Sequence, residues 1–457
     1  MTHLKLTNRR NFVLRILCSI FLLVAVSVSV LFMQIHQHAQ VKAAVTMPYV
    51  QGNQIIDSYG NPLVLRGAHI QSILDRYKLY ATTADHLAYN HLNSATFDVM
   101  ANNWHMNAVR IATSDYIWQK WPYGGPAAYM QTLQSIVAQA NQAGLYVVLS
   151  MHEELSSGLP PSLKEPSGWA MPTPFAVNYW QAVAATFKNN PMVMFDLYNE
   201  PHVNETALKM DEPGWNYWLH GGVITYVTPT GITKTYTVVG MQDLVNAVRA
   251  QGANQIIIAE GGENSFLNFE SDCTKLGLDP HCNFLQDPAN TTNPNIVYSV
   301  HEYFVPIGST PRSAPFWDGK FGNLSKEVPI FIGEWEFSIN TAYVRRCQDI
   351  TGTRSLTADE ATALVDSFLS YMDGNNAGGQ KISWTTFAFT WGQMFTDQKY
   401  ITYAPTTLYT NPPFVCGSNV PMAGDGWLLQ QYLVTGVAPS PTPSPTPTDT
   451  PTPTPTP

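Results

Sequence analysis

The chain has 457 residues with only 24 lysines and arginines and 33 aspartates and glutamates, so 12% of it is charged and the formal net charge is −9. An ordinary soluble domain carries about twice that charged fraction, and no Lys/Arg cluster stands outside the first 42 residues, which argues against nucleic-acid binding through a basic surface. A hydrophobic content of 45% and an aromatic content of 12% exclude intrinsic disorder for most of the length.

The leader, residues 1–43, holds Lys5, Arg9, Arg10, Arg15 and Lys42 and no acid. Its apolar run, Ile16 to Met33, precedes small residues around Val41-Lys42-Ala43-Ala44. Positive, apolar and small regions in that order describe an export signal, and the 18-residue run is also just long enough to span a bilayer. Two outcomes stay open: cleavage near Ala43, giving a secreted protein, or an uncleaved anchor through residues 16–33. Both put the body outside the cytoplasm. Beyond Cys18 the cysteines are Cys273, Cys282, Cys347 and Cys416. The short Gly/Pro-containing loop between the first two favours a Cys273–Cys282 bridge, leaving Cys347–Cys416 as the second pair.

The body, residues 44–437, contains no internal linker and opens on a hairpin over Val50–Leu65 that turns at Asp57–Asn61. Candidate strands follow at Leu63–His69, Met106–Ala112, Leu145–Ser150, Met192–Tyr198, Gln255–Ala259, Asn295–Val300, Pro329–Gly333 and Ile382–Ala388. Several are almost continuously apolar, as strands buried on both faces are. Intervening stretches such as Ala127–Gly144 carry apolar residues at helical spacing and stop at glycine. Eight strand–helix units predict an α/β fold, a (β/α)8 TIM barrel, with loop insertions at Met210–Val239 and Phe266–Asn293. From Ala438 onward nine prolines in 20 residues make residues 438–457 an extended Pro/Thr/Ser-rich linker, leading to a second module or serving as a stalk.

In such a barrel chemistry sits at the C-terminal strand ends. Arg110 follows strand 2, His152-Glu153-Glu154 strand 3, Asn199-Glu200-Pro201 strand 4 and Glu260 strand 5. His301-Glu302-Tyr303 ends strand 6, Glu334-Trp335-Glu336 strand 7 and Trp391 follows strand 8. Glycoside cleavage needs one carboxyl to protonate the departing oxygen and a second to attack or to activate water. Terminal carboxylates on strands 4 and 7 can face each other across the mouth. The 12 tryptophans, including Trp118, Trp121, Trp169, Trp215, Trp218, Trp317 and Trp335, supply apolar faces for sugar rings, and about four are expected to line the cleft. Glu153, Glu154, Glu260, Glu302 and Glu336 are rivals for the pair. Neither HEELS nor HEYFV completes a zinc-protease H-E-x-x-H, and G-x-S-x-G is absent.

The run Asp196-Leu197-Tyr198-Asn199-Glu200-Pro201, with Gly333-Glu334 closing a later apolar strand, resembles glycoside hydrolase family 5, a retaining family with catalytic carboxylates on strands 4 and 7. The resemblance implies Glu200 as acid/base and Glu334 as nucleophile. It implies Arg110, His152, Asn199, His301 and Tyr303 as substrate- or carboxylate-binding residues. For the strand-8 aromatic, Trp384 and Trp391 both fit, a phenylalanine occupies one place where an aromatic platform would fall, and Trp391 is preferred. Arg110 and Tyr303 would hydrogen-bond Glu334, the arginine holding its carboxyl ionised at low pH; Asn199 would bind the sugar 2-hydroxyl, His301 would position Glu200 or the leaving sugar, and His152 the sugar in the cleft. The implied activity is an endo-β-glycanase acting without metal or cofactor on a plant-type polysaccharide, foremost an endo-β-1,4-glucanase. Mannan is the nearest alternative substrate, and a non-catalytic glycan-binding surface protein the alternative of another class. A monomer is expected.

Overall fold

The computed structural model describes residues 47–71, 91–121, 123–152, 171–201, 212–227, 233–262, 273, 281–303, 312–336, 356–389, 394, 403–405 and 424–436. The leader, the Pro/Thr/Ser-rich tail, Trp169, Cys347, Cys416 and Trp391 lie outside them. Among the described residues no helix is long and apolar enough to cross a membrane.

The described chain opens with β1 (Tyr49–Gln51) and β2 (Gln54–Ile56), an antiparallel pair turning at Gly52-Asn53. The turn predicted at Asp57–Asn61 also forms, as a second reversal: the Asp57 amide donates to the Asn61 carbonyl, and the Asp57 carboxylate accepts from the amides of Tyr59 and Asn61. The hairpin is therefore shorter than expected, because a glycine at φ +60 takes the first turn.

Eight parallel strands close into a barrel in chain order: β3 (Arg66–Ile70), β4 (Ala108–Thr113), β5 (Tyr146–Met151), β6 (Val193–Asp196), β9 (Ile257–Glu260), β10 (Ile296–Tyr303), β11 (Ile330–Glu336) and β12 (Ser383–Thr386). Between β6 and β9, the insertion holds a two-stranded antiparallel sheet of β7 (Gly222–Val227) and β8 (Thr233–Val238). The helices are α1 (Ser94–Asp98), α2 (Asp115–Lys120), α3 (Gly125–Gln142), α4 (Pro174–Phe187), α5 (Glu212–His220), α6 (Met241–Arg249), α7 (Ala314–Trp317), α8 (Ala358–Met372) and α9 (Gly426–Thr435). Helix α8 starts on a capping box, Thr357 with Glu360, and α2 on the Ser114 hydroxyl, which accepts from the Ile117 amide.

Side chains alternate across each strand, and the two faces bury into separate cores. Val109, Ile111, Val147, Leu149, Phe195, Ile257 and Ile332 pack outward among the helices. Ala108, Val148, Met194, Ile258, Val297 and Phe331 point inward and, with Val50 and Ile55 of the hairpin, fill the lower barrel. Two residues further along the strands, the inward positions turn polar. Ala108 gives way to Arg110, Val148 to Ser150, Met194 to Asp196 and Ile258 to Glu260, all buried. An apolar plug thus underlies a polar upper layer, which fixes where chemistry is possible.

Candidate active site

On β11 strict alternation from Phe331 would aim Gly333 and Trp335 inward and Glu334 outward. A bulge intervenes. Val300 of β10 pairs with Ile332 and His301 with Glu334, so Gly333 is the extra residue. That single insertion swaps the faces beyond it. Trp335 turns outward against Phe368 and Trp384, and Glu334 enters the barrel. Gly333 is required here, because a Cβ would stand 2.8 Å from both His301 Nε2 and Ser299 Oγ.

The inward Glu334 meets Arg110 Nη1 at 2.7 Å through Oε1, and its Oε2 accepts from the Tyr303 hydroxyl. Arg110, fully buried, spreads its remaining donors over Asp196 (Nε, 2.8 Å), Ser150 (Nη2, 2.8 Å), Asn199 (Nη2, 2.9 Å) and Glu260 (Nη2, 2.6 Å), and Nη1 also lies 3.1 Å from His69 Nδ1. Glu200 follows β6 in the left-handed region at φ +49, a conformation costing about 1–3 kcal/mol for a residue with a side chain. Its amide donates to Glu260 Oε2 at 2.6 Å, and its Oε1 lies 2.9 Å from His301 Nδ1. One oxygen of Glu200 and one of Glu334 lie within 4.8 Å of each other. The His152 ring stands 5.1 Å from that of His69, and Phe387 stacks on His69 at 5.1 Å while meeting Tyr303 edge-on.

The structure therefore gathers Arg110, His152, Asn199, Glu200, His301, Tyr303 and Glu334 at one barrel mouth. Trp391 lies outside the described residues. Trp384 is fully buried, facing α9 and Arg66 rather than the mouth, and the aromatic ring beside Tyr303 is that of Phe387. Trp215, Trp218, Trp317 and Trp335, expected to supply faces for sugar rings, are core residues; their helices and the β11 bulge carry them outward. Sequence reasoning treated Glu260 and Asp196 only as a rival acid and a motif position, yet both belong to the polar layer. The signal was their inward register, two residues beyond Ile258 and Met194.

Electrostatics divide the acids. Burial pushes Glu334 up more than the His301 and Arg110 cations pull it down, and Glu200 adds to the rise. That corrects the expectation that Arg110 holds this carboxyl low: burial outweighs the pull of the arginine. Burial would also raise Glu260, but His301 and Arg110 outweigh it and hold the carboxylate ionised. Asp196 is raised by burial and by the charge of Glu260. Burial alone would lower His301, but Glu260, Glu334 and the hydrogen bond to Glu200 bring it up to about 10. His69, His152 and Glu334 offer donor atoms within 4.8 Å of one another, but the Arg110 guanidinium already lies against His69 Nδ1 and Glu334 Oε1 and would repel a metal cation.

The model of the cellulase family, glycosyl hydrolase family 5, matches residues 56–390. The chain belongs to this family. Among curated relatives, a cellulase of Thermoanaerobacterium sp., CelDZ1, is 22% identical over 365 residues, covering 77% of this chain and 71% of the relative. The cellulase/esterase CelE of Acetivibrio thermocellus is 24% identical over 268 residues, 56% of this chain but only 29% of that longer protein. Among solved structures, a β-glucanase of Saccharophagus degradans, SdGluc5_26A, crystallised with cellotetraose, superposes with a TM-score of 0.55 at 17% identity, covering 86% of this chain and 95% of its own. At that identity the likeness concerns the barrel alone.

Proposed function

We propose that the protein is a retaining endo-β-1,4-glucanase acting outside the cytoplasm. The observation that carries this reading is the pairing of Glu200 and Glu334 across the mouth, with one oxygen of each within 4.8 Å. That approach suits direct attack by one carboxylate, for which the groups stand about 5–5.5 Å apart, rather than activation of a water between acids about 6.5–9.5 Å apart. Glu334, fixed by Arg110 and Tyr303, attacks the anomeric carbon while Glu200 protonates the departing oxygen. The glycosyl–Glu334 ester is then hydrolysed by water that Glu200 deprotonates. As Glu200 gives up its proton, the facing His301 stabilises the charge it gains. Asn199, held by Arg110 Nη2, presents its amide N–H group toward the sugar 2-hydroxyl.

The glucan backbone is favoured by the cellulases and the β-glucanase among the similar proteins, and mannan remains the competing substrate. Export is supported by the basic, apolar leader and by the Cys273–Cys282 disulfide, a bond typical of oxidising compartments. Purified protein is expected to release reducing sugar from carboxymethylcellulose faster than from galactomannan, with release abolished by Glu334→Gln. Glu200→Gln is expected to lose about 10²–10⁴-fold in kcat. Unchanged release by either variant, or binding of glucan with no release by the parent, contradicts the reading.

A further inference from the structure

Glu260 lies fully buried at the end of β9, outside the catalytic pair, and engages three members of the site. Its Oε1 lies 2.6 Å from Arg110 Nη2 and 3.2 Å from His301 Nε2, and its Oε2 accepts from the Glu200 amide at 2.6 Å. Its own carbonyl accepts from Trp218 Nε1 at 3.0 Å, which ties the end of β9 to α5. We propose that Glu260 is a positioning residue of the hydrolytic site, an internal counter-anion that keeps His301 as an imidazolium and so sets the charge environment of Glu200.

The geometry carries this. The buried His301 ring is faced from three elements. Glu200, after β6, lies 2.9 Å and Glu334, on β11, 3.7 Å from Nδ1, while Glu260, on β9, lies 3.2 Å from Nε2. Tyr303, on its own strand, meets the ring edge-on, and Arg110 stands beyond Glu260 and Glu334. Both ring nitrogens therefore lie within ion-pair distance of carboxylate oxygen. A neutral imidazole has one N–H and one lone pair, so one nitrogen would set its lone pair against an anion. Once Glu200 is ionised, only the doubly protonated ring satisfies both sides. Charge balance agrees: once Glu334 is esterified and Glu200 has given up its proton, Arg110 and His301 offset Glu260 and Glu200 when Asp196 carries its proton. Without Glu260 that balance fails, and His301 loses the anion holding its second proton. Glu260 also accepts from the backbone of Glu200 where that chain stands at positive φ, so it fixes the place of the acid/base as well as its surroundings.

The inference rests on the proposed hydrolase reading, and Glu260→Gln tests it because the amide keeps the shape and an acceptor while removing the charge. In protein labelled with ¹⁵N-histidine, the His301 signal, assigned by its loss in His301→Asn, is expected to titrate at least about one pH unit lower in Glu260→Gln than in the parent. On carboxymethylcellulose the same variant is expected to lose about tenfold or more in kcat and to shift the alkaline limb of kcat/KM downward, and Glu260→Asp is expected to restore both in part. Unchanged His301 titration and unchanged pH limbs in Glu260→Gln overturn the proposal. Should the parent release no sugar, the hydrolase reading fails, while the His301 titration still decides whether Glu260 governs that ring. Should Glu260→Gln not fold, the same titration in Glu260→Asp decides: a downward displacement supports the proposal and a titration identical to the parent's overturns it.

Discussion

Arg110 satisfies Asp196, Glu260, Glu334, Asn199 and Ser150 from one fully buried guanidinium. Lysine offers one compact ammonium and no planar fork, so Arg110→Lys leaves buried carboxylates without a partner, a loss of about 3–5 kcal/mol by the usual cost of a broken buried pair. A fall in the urea midpoint together with loss of kcat is expected, and a variant as stable and active as the parent would contradict the network. In the proposed reaction Glu334 must be ionised to attack, and its carboxyl is raised by burial. Activity should therefore fall on acidification along a limb lying above the ordinary glutamate value of 4.5, which a pH profile of kcat/KM measures. The sign for His301 is opposite. Its raised value means that its stabilising contribution is complete below 6.5 and disappears as pH rises through about 10, so alkaline thermal melts should show a drop in that window.

At the scale of the element, the decisive feature is the bulge at Gly333. Gly333→Ala puts a methyl 2.8 Å from His301 Nε2 and Ser299 Oγ, so either the bulge or the ring must move. A loss of kcat with a cost of about 1–3 kcal/mol in stability is expected, readable by assay and denaturant titration; a silent Gly333→Ala would mean that β11 can aim Glu334 without it. The same bulge is a feature that no local sequence pattern carries. The eight barrel strands were legible because their outward faces are unbroken apolar rows, Val147 and Leu149 among them. Most site residues were legible because polar side chains end those rows in family order. Trp335 was misplaced because its register depends on pairing between β10 and β11, which no local pattern carries. Phe387 does not stand out from the neighbouring indoles in sequence, because the ring beside Tyr303 is set by where β12 leaves the barrel.

For the whole molecule, the inward residues form two layers, an apolar floor sealed by the N-terminal hairpin and a charged ring above it. The floor excludes water from beneath the ring, which strengthens the interactions among Arg110, His301 and their four acids. Sequence patterning displayed both layers, Met194 before Asp196 and Ile258 before Glu260, but not the cross-barrel contacts linking Glu260 to Arg110 and His301, since those join residues up to 150 positions apart. The proposed chemistry is direct attack by Glu334 with Glu200 as acid/base. Proton NMR of cellopentaose during the first minutes of hydrolysis tests it most directly: newly formed reducing ends are predicted to appear as the β-anomer and only later mutarotate, whereas first appearance of the α-anomer would contradict it.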